Sequence, residues 1–293
     1  MGEEPSLPAR PGSAFGPLVS GAWLVDNLTA PDLQVIDCRW RYDHDGGTAT
    51  SGRGAYEAGH VPGAVFVDID KDTTGTQPGV GRRPPPEPAA FQHAMRRAGV
   101  SSGSRVVLYD DRSGFSAAWL WWLLRYHGHD SVALLDGGLP AWRGPLERGV
   151  APRLEGDVRA SQPRSDMRID YEQMRQLPPA VVLLDARRPS LFRGEFEPKY
   201  PKAGHIPGAR NAYWKGNLLP DGTFASPPVL RRRYLELGVR EGAAVVAYCG
   251  SGISATHDLV ALELAGLPGA RLYPGSWSDW SARQDAPIEI GDG

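Results

Sequence analysis

Short apolar runs alternate along the chain with longer segments of helical pattern. Val181–Leu184 and Ala243–Tyr248 are almost entirely apolar, as is typical of strands buried on both faces of a sheet. Helices are predicted over Pro228–Leu237 and Ser254–Ala265, the second of them ended by Gly266. This alternation predicts an α/β fold with parallel β-sheets flanked by helices on both faces, in which ligands bind where strands end and helices begin.

The same pattern occurs twice, which predicts two tandem copies of one domain. Four blocks in the first half of the chain recur in the same order in the second half. The first-half blocks are Val35–Arg39, Ala58–Ala64, Val106–Asp110 and Asp136–Gly138, and their counterparts are Leu183–Arg187, Ala203–Ala209, Val245–Cys249 and Pro274–Ser276. We therefore predict an N-terminal domain over residues 17–150 and a C-terminal domain over residues 165–293.

The segments outside these blocks are rich in turn-forming and charged residues. Residues 151–164 carry Pro, Arg, Ser and Gly without apolar periodicity and are predicted to form the interdomain linker. Residues 1–16 begin with an acidic, Pro-containing stretch and are expected to form a disordered tail. Within the first copy, the run Arg83–Pro88 predicts a rigid surface loop.

Composition narrows the function classes. The 293-residue chain has a formal net charge of −2, which gives no indication of nucleic-acid binding, and no apolar run reaches membrane-spanning length. The N-terminus lacks the basic start and apolar stretch of a secretory signal, although Gly2 and Ser6 match the short pattern for N-myristoylation. Only two cysteines are present, which fits a protein of the reducing cytoplasm and not a disulfide framework.

One of the two cysteines, Cys249, follows a predicted buried strand and precedes Gly250-Ser251-Gly252 and a predicted helix. A strand, a tight glycine-containing turn and a helix N-terminus together form a cradle of backbone N–H groups. Such a cradle stabilises the thiolate over the thiol, and the glycines let the backbone fold closely around the sulfur. The pattern favours a nucleophilic cysteine, and the alternative is a buried structural thiol.

The other cysteine and the counterpart of Cys249 have different surroundings. Cys38 lies at the end of an apparent strand without a glycine cradle, so we interpret it as structural. In the first copy the position of Cys249 is occupied by Asp110. The first copy therefore keeps the fold but lacks the nucleophile, and we expect this inactive domain to form a wall of the site.

Three blocks resemble those of the two-domain rhodanese family: residues 203–209, Cys249–Ala255 and Gly275–Trp280. The resemblance covers nearly the whole chain and implies two tandem rhodanese-like domains with the catalytic cysteine in the second. It also implies a sulfurtransferase, whose cysteine takes a sulfur atom from a small-molecule donor and passes it to cyanide or to a thiol such as thioredoxin. The persulfide intermediate would be held by the loop residues Gly250, Gly252, Ile253, Ser254 and Ala255.

The cysteine loop also bears on the identity of the donor. Within the family, Cys-Gly-Ser-Gly loops resemble those of 3-mercaptopyruvate sulfurtransferases, whereas loops with Arg-Lys after the cysteine resemble those of thiosulfate sulfurtransferases. Residues 249–252 are of the first type. The Ser251 hydroxyl can hydrogen-bond the donor carbonyl or relay a proton to the enolate that leaves. Thiosulfate, a dianion that favours a cationic loop, stays the alternative donor.

The chain departs from the family where a donor-binding arginine is expected, since that position is occupied by Leu191. The resemblance then implies that other cations bind the donor. The nearby cations are Arg187, Arg188, Arg193 and Lys199. For Arg188 and Arg193, ordinary surface charge on a loop is an equal alternative.

A second departure concerns a proton relay. The resemblance implies that His60 works with Ser251 and an acid, but the position of the acid is occupied by Ser51, which leaves the relay incomplete. The same His-x-Pro-Gly-Ala turn recurs around His205. Both histidines can therefore hold their turns by hydrogen bonding, which is the role we assign first to His205, and both roles stay open for His60.

Two functions of other classes are compatible with the fold. Phosphatases of this fold clamp phosphate with an arginine six residues after the cysteine, but that position is Ala255. A sulfur-carrier or regulatory module without turnover is favoured by the loss of the arginine at Leu191. We predict no cofactor and no metal, since no Cys/His cluster has ligand spacing, and we expect a cytoplasmic monomer without nucleic-acid or membrane partners.

Overall fold

The computed structural model describes residues 15–42, 49–77, 79 and 81–293. Residues 1–14 of the predicted tail, with the Gly2 pattern, lie outside the described part. Within that part the strands are Leu18–Val19 (β1), Leu33–Asp37 (β2), Trp40–Tyr42 (β3), Ala49–Ser51 (β4), Val65–Phe66 (β5), Arg105–Tyr109 (β6), Val132–Leu135 (β7), Val182–Asp185 (β8), Arg210–Asn211 (β9), Val245–Tyr248 (β10) and Arg271–Leu272 (β11).

The helices lie between these strands, as the alternating pattern predicts. They are Gly21–Asn27 (α1), Arg53–Ala58 (α2), Ile69–Asp72 (α3), Pro88–Arg97 (α4), Ala117–Tyr126 (α5), Tyr171–Arg175 (α6), Pro189–Phe192 (α7), Pro227–Glu236 (α8), Ile253–Leu264 (α9) and Ser276–Trp280 (α10). The predicted strands and helices of the second copy differ from these bounds by one or two residues. Gly266, with φ of +68°, follows the end of α9 and confirms its predicted stop.

Two parallel sheets carry the duplication. The first has the strand order β1-β7-β6-β2-β5 and the second β11-β10-β8-β9. Every neighbouring pair in both sheets is parallel. The four strands β7-β6-β2-β5 therefore correspond one by one to β11-β10-β8-β9, which confirms the predicted α/β class and the repeat. The strands β6 and β10 lead directly into Asp110 and Cys249, so these two residues occupy matching places.

The two repeats share one core. The helix α5 is apolar on all sides and buried along nearly its whole length, which is expected of a helix enclosed by other elements. It packs against α9 of the second repeat. One apolar cluster contains Leu108 and Trp122 of the first repeat together with Leu184 and Val260 of the second. This shared core fixes the N-terminus of α9, and with it Cys249, relative to the first repeat.

The Pro-rich run of the first repeat is not a surface loop, and this prediction is wrong. Arg83 is 5% exposed and Pro84, Pro85 and Pro86 are buried. Proline has no backbone N–H group that needs a partner, so such a run can be enclosed at low cost in unpaired polar groups. The run lies where the two repeats meet, because the Arg82 N–H donates to the Ser278 hydroxyl at 3.0 Å.

Residues 151–164, the predicted linker, contain no helix or strand. They run along the first repeat, where the N–H groups of Gly156 and Val158 donate to the carbonyls of Arg96 and Val100.

Across the described residues, none of the helices combines the length and the apolar character that crossing a membrane requires.

A polar cluster is buried in the core of the second repeat, at its boundary with the first. Oδ1 of Asp258 accepts hydrogen bonds from Asn217 Nδ2 at 2.7 Å and from the Tyr234 hydroxyl at 3.1 Å. His257 Nε2 lies 3.1 Å from the carbonyl oxygen of Ser113 in the first repeat. Burial raises the pKa of Asp258 to about 7 and lowers the pKa of His257 to about 4, so burial favours the neutral form of both side chains.

We expect Asp258→Asn to remove one pH dependence of stability. Because the folded-state pKa of Asp258 is raised, the wild-type chain loses stability as pH rises from about 4 to about 7, where the unfolded chain alone is ionised. The variant carries no such charge, and its free energy of unfolding should exceed that of the wild type above pH 7 by on the order of 4 kcal/mol. Urea denaturation at several pH values checks this. A free-energy difference between the two proteins that stays constant from pH 4 to pH 8 would contradict it.

Candidate active site

Cys249 is held at the junction between a strand and a helix. It follows β10 directly and is only 2% exposed. Its Sγ accepts a hydrogen bond from the Gly252 N–H at 3.1 Å. Gly252 has φ of +91°, a left-handed conformation that favours glycine, and α9 begins at the next residue. The sulfur therefore contacts a main-chain amide at the positive end of a helix, where an anionic sulfur is stabilised.

The loop is fixed from behind by α10. The Cys249 N–H donates to the Ser276 hydroxyl at 3.1 Å, and the Cys249 carbonyl accepts from the Trp277 N–H at 2.9 Å. The Gly250 carbonyl accepts from the Ser278 N–H at 2.9 Å. All three bonds come from residues of the block Gly275–Trp280, so this block holds the cysteine loop in place.

The first repeat shows what this kind of loop binds. The carboxylate of Asp110 is fully buried and takes the place that the thiol has in the second repeat. Its two oxygens accept hydrogen bonds from the backbone N–H groups of Arg112, Gly114, Ser116 and Ala117, at 2.8, 2.9, 2.7 and 3.0 Å. The loop is thus built to enclose an anion, and a thiolate is the anion that Cys249 can supply in the second repeat.

A cavity of about 190 Å³ opens beside Cys249. The first repeat contributes Trp40, Arg112 and Phe115 to its walls, and the second contributes the remainder. Among the described residues that line it, five are cations and one is a carboxylate: Arg112, Arg187, Arg188, Lys199 and Lys215, with Glu197. A small site with this charge favours an anionic ligand. The described residues contain no group of three His, Cys, Asp or Glu side chains placed to hold a metal ion.

Comparison with known proteins identifies the family. The sequence profile of the Rhodanese-like domain matches residues 20–144 and residues 170–283, one match in each repeat. The chain belongs to the rhodanese family. Both matches fall inside the predicted domain ranges, 17–150 and 165–293. The resemblance inferred from three short blocks is therefore confirmed over most of the chain.

Individual members of the rhodanese family resemble the chain over nearly its full length. A Pseudomonas aeruginosa protein provisionally named as a 3-mercaptopyruvate sulfurtransferase is 43% identical, over 94% of this chain and 98% of its own. SseB of Mycobacterium tuberculosis, provisionally named as a thiosulfate sulfurtransferase, is 40% identical over 94% of this chain and 97% of its own. The crystal structure of SseA from Escherichia coli, described as a 3-mercaptopyruvate sulfotransferase, matches with a TM-score of 0.79 and 30% identity over 90% of this chain and 99% of that one. The prediction of a sulfurtransferase is confirmed.

The predicted loop residues lie together around the sulfur. Gly250, Ser251, Ile253 and Ser254 line the cavity. Gly252 is not among the residues that line the cavity, but it supplies the N–H that contacts the sulfur. Ala255 does not line the cavity, because it is fully buried in the first turn of α9.

Arg187 lines the cavity, but one edge of its guanidinium is hydrogen-bonded to other residues. Its Nε and Nη2 donate to the Asp185 carboxylate at 3.0 and 2.6 Å, and Nη2 also donates to the Gly204 carbonyl at 2.8 Å. Asp37 and Arg39 make the same pair in the first repeat, so this arrangement belongs to the fold. The other edge of Arg187 is different, because its Nη1 and Glu197 Oε2 lie 3.8 Å apart and neither has a hydrogen-bond partner among the described residues.

The other three predicted cations are separated by the fold, and Arg188 is one of the residues that line the cavity. Lys199 lines the cavity, with its Nζ 5.1 Å from the centre of the Tyr200 ring. Arg193 does not line it, because it lies just beyond α7 and pairs with Glu195 at 2.6 Å on the surface. The alternative interpretation of Arg193 as a surface charge is the one its position favours. Leu191 does line the cavity, at the position where the family carries an arginine.

His60 is not brought to the cavity. It is fully buried, its ring stacks on Tyr56 at 4.0 Å, and its Nδ1 donates to the Tyr56 carbonyl at 2.9 Å. His205 in the second repeat makes the matching contacts with Phe192, at 3.7 and 2.8 Å. The geometry therefore favours a turn-holding role for both histidines. The predicted relay from His60 to Ser251 is not assembled, and Ser51 instead donates to Asp68 at 2.7 Å.

Several cavity residues were missed by sequence reasoning. They are Trp40, Arg112, Phe115, Glu197, Tyr200, Tyr213, Trp214 and Lys215. For Arg112 a signal existed, since it stands two residues after Asp110 just as Ser251 stands two after Cys249. The aromatic residues carry no comparable signal, because their role depends on how the two repeats pack together. Glu197 is the carboxyl group among the described residues that line the cavity, and burial raises its pKa.

Proposed function

We propose that the chain transfers sulfur from 3-mercaptopyruvate, through a persulfide on Cys249, to cyanide or to a thiol acceptor such as thioredoxin. The observation that carries this proposal is the contact between Cys249 Sγ and the Gly252 N–H at the N-terminus of α9, beside a cationic cavity. An N–H at that point stabilises the thiolate before reaction and the persulfide anion after it.

The cycle balances without a cofactor. The Cys249 thiolate attacks the sulfur of the donor, so that an S–S bond forms while the carbon–sulfur bond breaks. The electron pair of the broken bond passes to carbon and gives the enolate of pyruvate, which takes one proton. In the second step the acceptor attacks the outer sulfur, and the electrons of the S–S bond return to Cys249 as a thiolate.

The walls of the cavity suit a small carboxylate with a neighbouring carbonyl. The Nη1 edge of Arg187 and the ammonium of Lys199 offer N–H donors to the carboxylate. The Ser251 hydroxyl offers a donor to the carbonyl oxygen on which the enolate charge develops. These residues bind the donor in place of the family's arginine, whose position is occupied here by Leu191.

Thiosulfate is the second candidate donor, because the cavity carries five cations and a similar protein carries the name of a thiosulfate enzyme. Steady-state kinetics with both donors and cyanide, with Cys249→Ser as the blank, decides between them. We expect kcat/KM for 3-mercaptopyruvate to be higher by roughly tenfold or more, since thiosulfate offers no carbonyl to Ser251. A higher value for thiosulfate would overturn the donor assignment and leave the nucleophile in place.

Repeated turnover also separates an enzyme from a sulfur carrier. A carrier loads one sulfur per chain and then stops, whereas we expect many cycles in the presence of a thiol acceptor. We propose that the enzyme acts in the cytoplasm, since a chain with two cysteines, neither of them in a disulfide, fits a reducing compartment.

A further inference from the structure

Arg83 of the inactive repeat reaches the cysteine loop of the active one. Its Nη1 donates to the Ser251 hydroxyl oxygen at 3.4 Å. This is a long hydrogen bond, of the kind that shortens when substrate occupies a site. Ser251 lines the cavity and Arg83 does not, so Arg83 can act on a molecule in the cavity through the serine.

The guanidinium is held in place by two groups of its own repeat. Its Nε and Nη2 donate to Asp70 Oδ1 at 3.0 and 2.6 Å. Its central carbon lies 4.6 Å from the centre of the Trp40 ring, and the Trp40 indole N–H donates to the other carboxylate oxygen of Asp70 at 2.7 Å. Asp70, Trp40 and Arg83 therefore form one rigid unit, which leaves Nη1 directed at Ser251.

The segment that carries Arg83 is fitted closely against the second repeat. The Arg82 N–H donates to the Ser278 hydroxyl at 3.0 Å, and Arg283 Nη2 donates to the Gly79 carbonyl at 2.9 Å. At Gly81, which has φ of +77°, a Cβ atom would lie 2.5 Å from the Gly275 carbonyl oxygen. Only glycine at position 81 permits this close approach. The glycine therefore allows the segment that carries Arg83 to lie beside the cysteine loop.

The chemistry of the pair decides which way the serine hydrogen points. A guanidinium donates hydrogen bonds and accepts none. The Ser251 oxygen must therefore be the acceptor from Arg83, and its own hydrogen is left for another acceptor. The nearest place for that acceptor is the cavity that Ser251 lines. A hydroxyl that accepts from a cation is also a stronger donor, because the two bonds polarise one another.

We propose that Arg83 is a positioning residue, which acts through Ser251 by turning the serine hydroxyl toward the carbonyl oxygen of the donor. The inference rests on the proposed function and adds a residue of the first repeat to it. In this chain Arg83 takes the orienting role that the resemblance assigned to His60. The nominally inactive repeat thus contributes to donor activation as well as forming a wall.

The test is a double-mutant cycle with 3-mercaptopyruvate as donor and cyanide as acceptor. Arg83→Met keeps the length of the side chain and removes its donors, and Asp70 tolerates the change because its side chain is 37% exposed. Arg97→Met is the matched control, since Arg97 pairs with Asp72 on the same repeat and away from the cavity. Asp70→Asn is a second variant, which weakens the anchor of Arg83 without touching the loop.

We expect Arg83→Met to lower kcat/KM by roughly tenfold or more, which is the usual effect of losing a hydrogen bond to a charged group. In a Ser251→Ala background the same change should cost less than about twofold, because the residues act through one hydroxyl. Asp70→Asn should follow the same pattern with a smaller loss, and Arg97→Met should change nothing.

Equal losses from Arg83→Met in both backgrounds would overturn the proposal, since they would show that Arg83 acts without Ser251. Full activity of Arg83→Met would overturn it as well. The proposed function fails in a different way, namely through absent turnover of the wild-type chain with this donor. The two failures are therefore distinguished by the wild-type rate alone.

Discussion

Replacing Cys249 with serine should reduce sulfur transfer by at least about a thousandfold, the scale of loss found when a covalent nucleophile is removed. The serine oxygen fits beside the Gly252 N–H but cannot form the S–S bond on which both half-reactions depend. Stability should change little, since the side chain keeps its size and its contact with the amide. Turnover with cyanide, together with the thermal midpoint of unfolding, checks both parts.

Cys38 offers the matched control. It is fully buried, and burial raises the pKa of its thiol well above the usual value, so it has little thiolate to react. Cys38→Ala should therefore keep the wild-type rate of sulfur transfer. A Cys249→Ser enzyme that still turns over at a tenth of the wild-type rate or faster would place the nucleophile elsewhere.

Replacing Asp110 with alanine should destabilise the fold, by on the order of 3 kcal/mol, because it leaves buried N–H groups without an acceptor. Four main-chain amides donate to this carboxylate in the wild-type chain. Asp110→Asn should cost less, since its remaining oxygen still accepts part of this set, although its NH₂ group meets the other donors. Denaturation in urea gives the free energies of unfolding.

The control for Asp110 is an aspartate that pairs on the surface. Asp32 bonds Arg105 at 2.7 Å with about half of its side chain exposed, and ion pairs this exposed to solvent contribute little to stability. Asp32→Ala should therefore change stability far less than Asp110→Ala. Equal effects would mean that the loop of the first repeat does not need an anion, which would weaken the view of the Cys249 loop as an anion cradle.

The features that could be predicted from sequence are those fixed by local pattern. The order Tyr248-Cys249-Gly250 follows from a buried strand that ends at a turn, and Gly252 is the residue that can adopt φ of +91° there. Repetition strengthened the prediction, because Asp110 and Cys249 occupy matching places in two blocks. Element bounds differed by one or two residues, since strand ends depend on partners that local pattern does not include.

The features that could not be predicted depend on how the repeats pack. Arg83 lies 168 residues from Ser251 along the chain, and no periodicity links a Pro-rich run to a cysteine loop. The resemblance leaves a catalytic role open for His60. In the folded chain its ring stacks on Tyr56, a contact that the local sequence does not reveal. Arg187 has the charge that a donor site needs, yet the Asp185 carboxylate and the Gly204 carbonyl together accept its Nε and Nη2 hydrogens, which leaves only Nη1 for the donor.

The most direct test of a persulfide on Cys249 is the mass of the chain after incubation with the donor. The enzyme is incubated with 3-mercaptopyruvate without an acceptor and its thiols are alkylated. The masses of its proteolytic peptides are then measured by mass spectrometry. We predict a gain of one sulfur atom on the peptide that contains Cys249, lost again when cyanide is added. A Cys249 peptide of unchanged mass, or the added sulfur on the Cys38 peptide, would contradict the account.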